Sequence, residues 1–291
     1  MNRTLLISFC LTLLTTISFA QDKKAYQLFT AEGSPVTYDQ MLEVIQPADL
    51  VFFGELHNNT IAHWLQIELT NSLYEKHKEN LILSAEMFES DNQIILDEYL
   101  SGLISRSKFE AECRLWPNYK TDYKPLVEFA KDKGLKFIAA NVPRRYANIV
   151  SKGGFEVLSS VSVQGQSFFA PLPIQYDPEV ACYKEMLNMG GGGMPAHVTA
   201  NLPKAQALKD VTMAFFILKE FISGKQILHF NGSYHSQNHE GTIWFVNQMV
   251  PGLNIQVIHT VSQADVHLLE EDNKGLGDFI LVVDEDMTET Y

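Results

Sequence analysis

Six short apolar runs recur along this 291-residue chain, at 50–53, 81–85, 136–140, 226–230, 255–259 and 279–283, and they are continuous rather than alternating. A strand with one wet face alternates apolar and polar residues, whereas a continuous run is expected where helices cover both faces of a parallel sheet. Helical patterns fill the gaps. Residues 60–77 carry Ile61, Leu65, Leu69 and Leu73 at four-residue spacing, behind Asn58, Asn59 and Thr60 as candidate caps. Shorter patterns of the same kind occupy 126–133, 144–150 and 241–249. Strand and helix alternate, which predicts an α/β fold with a mostly parallel β-sheet flanked by helices.

Two stretches interrupt that rhythm. Residues 93–123 read as helical, and 155–221 combine a proline-rich connection, the Gly190 to Gly193 run and a long helix beginning at Pro203. Together they predict helical insertions forming a smaller helical subdomain. Pro203 suits a first helical turn, and Leu208, Val211, Phe215 and Leu218 repeat as a core stripe.

Ahead of this domain, Arg3, an apolar segment over 5–19 and Ser18-Phe19-Ala20 have the pattern of a secretory signal peptide over 1–20. The mature chain is therefore expected over 21–291, periplasmic or secreted. Cys10 follows bulky Phe9 inside the apolar segment, so no lipid anchor is expected. No later run approaches the roughly 20 apolar residues of a membrane span. A formal charge of −13 argues against nucleic acid or anionic membrane as partners. Cys113 and Cys182 read either as two buried thiols or as one disulfide bridge, which export permits.

Polar chemistry gathers where the apolar runs stop. Gly54-Glu55-Leu56-His57 follows the first and Gly232-Ser233-Tyr234-His235 the fourth, while Glu86 and Glu89 follow the second and Asn141, Arg144 and Arg145 the third. In a parallel sheet these groups meet at one edge, where ligands of open α/β sheets bind. His57, His235, Glu55 and Glu86 suit a divalent metal such as zinc, manganese or iron. In a metal-dependent hydrolase, Glu55 or Glu86 would serve as ligand or general base, and Arg144 or Asn231 would steady an oxyanion. The alternative is structural: Glu55 and Glu86 pair with Arg144, and His57 caps the next helix.

His63 and Gln66 share one helix face and can line the same pocket, and His239 sits near a helix start. His197, beside Met186, Met189, Met194 and the glycine run, belongs to a lid or a mobile loop. His-Glu-x-x-His, a phosphate-binding Gly-x-x-x-x-Gly-Lys-Ser/Thr and Gly-x-Ser-x-Gly are all missing. The Gly190 to Gly193 run follows no expected strand and so is no dinucleotide loop, and ordinary serine-hydrolase and NAD-enzyme readings drop away.

Taken in order, Gly54 to Asn59 with His63 and Gln66, Glu86-Met87-Phe88-Glu89, Trp116-Pro117 with Tyr119 and Tyr123, Asn141-Val142-Pro143-Arg144, the run from Gln206 to Ala214, and Gly232 to His235 form one set. The set resembles the ChaN-like haem-binding uptake proteins of the Tiki/TraB superfamily, over about residues 40–262. Asn58 stands where that family commonly has an acidic residue. The resemblance implies a parallel α/β sheet with a smaller helical domain and a role in haem or iron uptake outside the cytoplasm. It also implies kinship with Tiki-type hydrolases, in which paired Gly-x-x-His motifs mark the active site. Haem binding requires an apolar slot and an axial ligand, for which Tyr234, Tyr183, His197 and His235 are candidates, with His63 lining the site. A haem or iron transport system and a second copy of the chain in a homodimer are the expected partners.

Overall fold

Eight strands form one sheet within residues 23–189 and 196–290, the part of the chain that the computed structural model describes. In chain order the elements are β1 (Tyr26–Thr30), β2 (Pro35–Val36), α1 (Tyr38–Ile45), β3 (Leu50–Glu55), α2 (Thr60–His77) and β4 (Leu81–Glu89). There follow α3 (Gln93–Leu100), α4 (Arg106–Glu112), a π-helical turn at Tyr119–Tyr123, α5 (Lys124–Lys133), β5 (Phe137–Asn141) and α6 (Arg144–Gly153). The chain continues through α7 (Val163–Gln166), α8 (Ala181–Met189), α9 (Ala196–Glu220), β6 (Gln226–Gly232), α10 (Thr242–Met249), β7 (Ile255–Gln263) and β8 (Phe279–Asp284). The sheet order is β2-β1-β8-β7-β3-β6-β4-β5.

All six apolar runs are strands, and their mutual pairings are parallel. Alternate residues of each point into cores on opposite faces of the sheet, which is why both faces are mostly apolar. Val51 and Phe53 of β3, Leu81 and Leu83 of β4 and Phe230 of β6 join the layer built from α1 to α5. Leu50 and Phe52, Ile82 and Ile227 join the opposite layer of α6, α8, α9 and α10. The helices expected over 93–123 pack in the first layer, and α8 and the part of α9 from Ala205 onward, within the stretch 155–221, pack in the second. The antiparallel edge of β1 and β2 and helix α1 went unread, because neither Tyr26–Thr30 nor the two residues of β2 form a continuous apolar run.

One expectation is corrected. Pro203 lies inside α9, which starts at Ala196, rather than in a first turn. A proline removes one backbone donor, and the packing of the buried Ala205, Ala207, Leu208 and Val211 that follow it holds the helix through that defect. No helix among the described residues is long and apolar enough to cross a membrane. Cys113 and Cys182 are both buried free thiols, and burial pushes each up to about 12. The leader read over 1–20 lies outside the described residues.

The order of the strands places the site. From β3 the chain crosses over β6 to reach β4, and from β6 it crosses over β3 to reach β7. Neighbouring strands thus send their connections in opposite directions, leaving a crevice at their carboxyl ends. Both Gly-x-x-His motifs open there.

Candidate functional site

The two motifs make room for each other. β3 and β6 run in register with Gly54 beside Asn231 and Glu55 beside Gly232. A β-carbon on Gly54 would lie 2.9 Å from the Ser233 α-carbon, and one on Gly232 would lie 2.7 Å from His57 Nε2. Each glycine is therefore needed by the backbone or the imidazole of the other motif. The third contributor, β4, carries an irregularity between Ala85 and Glu89, where four residues advance against two on β5. Such a bulge re-aims side chains at a strand end. Here it brings Glu86 beneath Gly232, whose N–H donates to Glu86 Oε2 at 2.8 Å.

Glu55 is fully buried and saturated with donors. His57 Nδ1 lies 2.9 Å from Oε1, the Tyr123 hydroxyl donates to Oε1 at 2.6 Å, and Gln66 Nε2 donates to Oε2 at 2.5 Å. His63 stands behind this group, Nδ1 3.6 Å from Glu55 and Nε2 3.4 Å from Asp122, and its Nε2 bonds the His57 carbonyl at 3.1 Å. Asn118 Nδ2 donates to that same carbonyl at 2.9 Å and to Asp122 at 2.7 Å. His57 is thus gripped at both ring and backbone. Burial opposes its charged form, but the Glu55 hydrogen bond and the fields of Glu86 and Glu55 outweigh burial and raise its pKa.

A second buried array faces it. His235 Nε2 lies 3.1 Å from Glu86 Oε1 and its Nδ1 2.6 Å from Asp210 Oδ1. Asp210 also accepts from the Tyr183 hydroxyl at 2.8 Å and from Thr242 at 3.0 Å. Burial works against a charged imidazole here too, yet two flanking carboxylates hold His235 up at about 9. Glu86 shows the complement: burial pushes its pKa up, but His235 beside it holds the carboxyl well below the usual range. The pair is an ion pair at neutral pH.

Both arrays border one open cavity of about 810 Å³, within the range of small-molecule and cofactor sites. Leu56, Trp116, Val142, Met186 and Tyr234 supply apolar wall, with Glu55, His57, Glu86 and His235 on the floor. Trp116 meets the His57 ring edge-on with centroids 4.8 Å apart. Glu89, Arg144, Gln206 and Lys209 are among the polar residues of the lining.

The structure brings Glu55, His57, Glu86, Arg144, Tyr234 and His235 together at this cavity. It does not assemble His57, His235, Glu55 and Glu86 as a metal cage. Among the described residues no three His, Cys, Asp or Glu side chains converge to hold a metal ion. The reason is pairing: both nitrogens of His235 and both oxygens of Glu55 already face protein partners. Tyr183 is buried against Asp210 and absent from the cavity lining. His63 lies behind Glu55, so it positions His57 rather than facing a ligand. Asn231 turns its amide onto the Gly232 carbonyl and Ser236, at 2.9 Å each, and so braces the turn. Glu89, not Glu55 or Glu86, pairs with Arg144. The cap of α2 is Asn59, accepting from the Ala62 N–H at 2.9 Å. His239 pairs with Asp278 at 3.1 Å. The side chain of His197 lies outside the described residues.

Asp122, Asn118 and Arg114 went unread in the sequence, and Lys209 and Asp210 were given no role beyond membership of the run from Gln206 to Ala214. Asp210 had a signal, an acid within the apolar stripe of Leu208, Val211 and Ala214. Asp122 had none and Tyr123 entered only through the family resemblance, because the π-helical turn that aims them at His63 and Glu55 has no sequence period of its own.

Comparison with known proteins gives a family and a fold. The profile of a family described as haem-binding uptake, Tiki superfamily, ChaN matches residues 41–246. A solved structure described as cofacial haem binding to ChaN of Campylobacter jejuni superposes with a TM-score of 0.69 at 17% identity, covering 90% of this chain and 98% of that one. The type III effector HopBA1 superposes with a TM-score of 0.50 at 12% identity, covering 86% and 93%. At such identities these structures share the fold. No curated protein sequence matches the chain.

Proposed function

The chain belongs to the ChaN haem-binding uptake family of the Tiki superfamily, and from that premise we propose that it binds haem in the 810 Å³ cavity between its two Gly-x-x-His motifs. The observation that carries this reading is the make-up of the cavity. Apolar Leu56, Trp116, Val142 and Met186 suit the faces of a porphyrin, and the cationic Arg144 and Lys209 suit its carboxylates. Tyr234 and His57 both reach the cavity and supply the candidate axial oxygen and nitrogen. His57 has its Nδ1 held by Glu55, the arrangement that orients an imidazole toward a metal through its other nitrogen. Tyr234 donates to the Cys182 carbonyl and, chiefly through burial, has its pKa raised, so using it as a phenolate requires giving up that proton. Bound haem would supply an iron, and His57 or Tyr234 would be the residue to hold it.

Hemin titration of the purified protein tests this. A saturable Soret shift is expected, weakened and altered in spectral type by whichever of Tyr234→Phe and His57→Ala removes the ligand. Absence of saturable binding would sink the proposal. The leader-like residues 1–20 support work outside the cytoplasm, with delivery to a haem or iron transport system.

One observation favours a second reading, hydrolysis: the Glu55–His57 pair opens on the same cavity as the buried Glu86–His235–Asp210 array. There His57, steadied by Glu55, would accept a proton from water or a hydroxyl at Nε2, Glu86 and His235 would carry the developing charge, and Arg144 would steady an oxyanion. Ester and peptide substrates, with His57→Ala and chelator as controls, test it. Activity indifferent to His57→Ala would rule this mechanism out.

A further inference from the structure

Of the charged side chains lining the cavity, two keep their hydrogen-bonding ends free. Arg144 opens α6 and donates only Nε to the protein, to Glu89 Oε1 at 2.9 Å. Both its terminal nitrogens are without protein partners among the described residues, and its side chain is 74% exposed. Lys209 projects from α9 into the same lining and makes no hydrogen bond or ion pair among the described residues.

Arg144 is also held in place. Glu89 is almost fully buried, and Arg114 Nε occupies its other oxygen at 2.9 Å. Arg114 continues to Asp91, which takes Arg145 Nη1 at 2.5 Å. Three guanidinium groups thus share two carboxylates, leaving one positive charge in excess at the rim of a chain whose net charge is −13. A guanidinium fixed at Nε presents its two terminal N–H groups as a planar fork, the shape that grips a carboxylate bidentately. Lys209 adds a point charge from α9, which packs beside α6 in the same helical layer.

We propose that Arg144 and Lys209 are the specificity-determining pair of this cavity, taking two carboxylates of an otherwise apolar ligand. Resting on the haem reading, this assigns them to the two propionates and makes the site selective for porphyrins that carry free acids. The buried carboxylates on the cavity floor already hold hydrogen-bond donors of the protein, so among the described lining residues the guanidinium and ammonium ends left for an acidic ligand are these two.

Hemin and hemin dimethyl ester, titrated into the full chain in the same detergent buffer, test the proposal. The two ligands share ring and iron and differ in the charge of two side groups. Wild type is expected to bind hemin about tenfold or more tightly than the ester, the scale of charge-assisted contacts at a partly exposed site. In the Arg144→Gln, Lys209→Gln double variant the preference disappears because hemin weakens to the level of the ester, while ester affinity and melting temperature hold. That unmoved ester affinity is what a merely structural role for the pair would not give. Equal binding of the two ligands by wild type, an undiminished preference in the variant, or a variant that loses both ligands alike would each overturn the inference. Saturable binding of neither ligand to wild type would overturn the haem reading and this inference with it.

Discussion

Substituting Gly232 by alanine tests the mutual fit of the two motifs. The new β-carbon would stand 2.7 Å from His57 Nε2, 2.8 Å from its Cε1 and 3.5 Å from Glu86 Oε2. At φ −58° and ψ 136° the backbone of residue 232 suits alanine, so the entire conflict is with the His57 ring. That ring ends a side chain that is one-third exposed, and it can swing outward. Swinging breaks the 2.9 Å contact with Glu55, which keeps the Tyr123 and Gln66 donors. The expected loss is therefore about 1.5–3 kcal/mol, the range of one hydrogen bond to a charged group, rather than the 3–5 kcal/mol of a stranded buried charge. His57 should at the same time titrate nearer the ordinary imidazole value, having left the carboxylates that raise it.

Gly54→Ala is the control with the opposite mechanics. Its β-carbon would meet the Ser233 α-carbon at 2.9 Å and the Ile258 carbonyl at 3.3 Å, both backbone atoms that cannot swing away. About 3 kcal/mol or more is expected, at the upper end of overpacking effects. Urea unfolding measures both stabilities, and NMR titration of the imidazole C–H resonances follows His57. Wild-type stability with an unmoved His57 titration in Gly232→Ala, or equal penalties for the two variants, would refute the reasoning.

Stability should peak near pH 6.5, between two opposed linkages. His235 is raised to about 9 in the fold, so its contribution is complete below about 6.5 and is lost as pH rises through 9, by roughly 3 kcal/mol. His229 and His259, lowered by burial to about 3 and about 4, are neutral in the fold, so stability falls as pH drops below about 6.5 and the unfolded chain takes up their protons. Urea midpoints at pH 5, 6.5 and 9 check both limbs, and stability rising from 6.5 to 9 would contradict the His235 assignment. Tyr183→Phe removes one donor from Asp210, which keeps His235 and Thr242, and should cost about 2 kcal/mol without changing hemin affinity. Weakened hemin binding at unchanged stability would instead place Tyr183 at the cavity.

The fold was legible because burial on both sides of the sheet writes itself into sequence as unbroken apolar runs, and β3 and β6 are such runs ending in Gly-x-x-His. The polar residues just past those runs were legible for the same reason, since strand ends of a parallel sheet converge. What the sequence withheld was partnership. His63 falls on the expected face of α2, yet that face turns toward Glu55 and Asp122 behind the cavity wall rather than into it. Whether Arg144 would meet Glu55, Glu86 or Glu89 depends on the irregularity in β4, which no composition or period announces. Asp210 reaches His235 from 25 residues away, through a helix that sequence reading began at Pro203 rather than Ala196.

Pairing also explains why carboxylates and imidazoles of metal-ligand type need not amount to a metal centre. A buried charge persists only when its partners are fixed around it, and here Glu86 is answered by His235 and the Gly232 N–H, and Asp210 by His235, Tyr183 and Thr242. A divalent ion entering the floor of the cavity would have to break those contacts and expel the proton that His235 holds to about pH 9. His57 differs, since one ring nitrogen is held by Glu55 and the side chain is one-third exposed at the cavity. Arg144 differs likewise, with one edge held by Glu89 and the other toward solvent. The groups ready to act on a ligand are therefore those half-satisfied by the protein, and the fully paired ones serve to hold them and to set their charge.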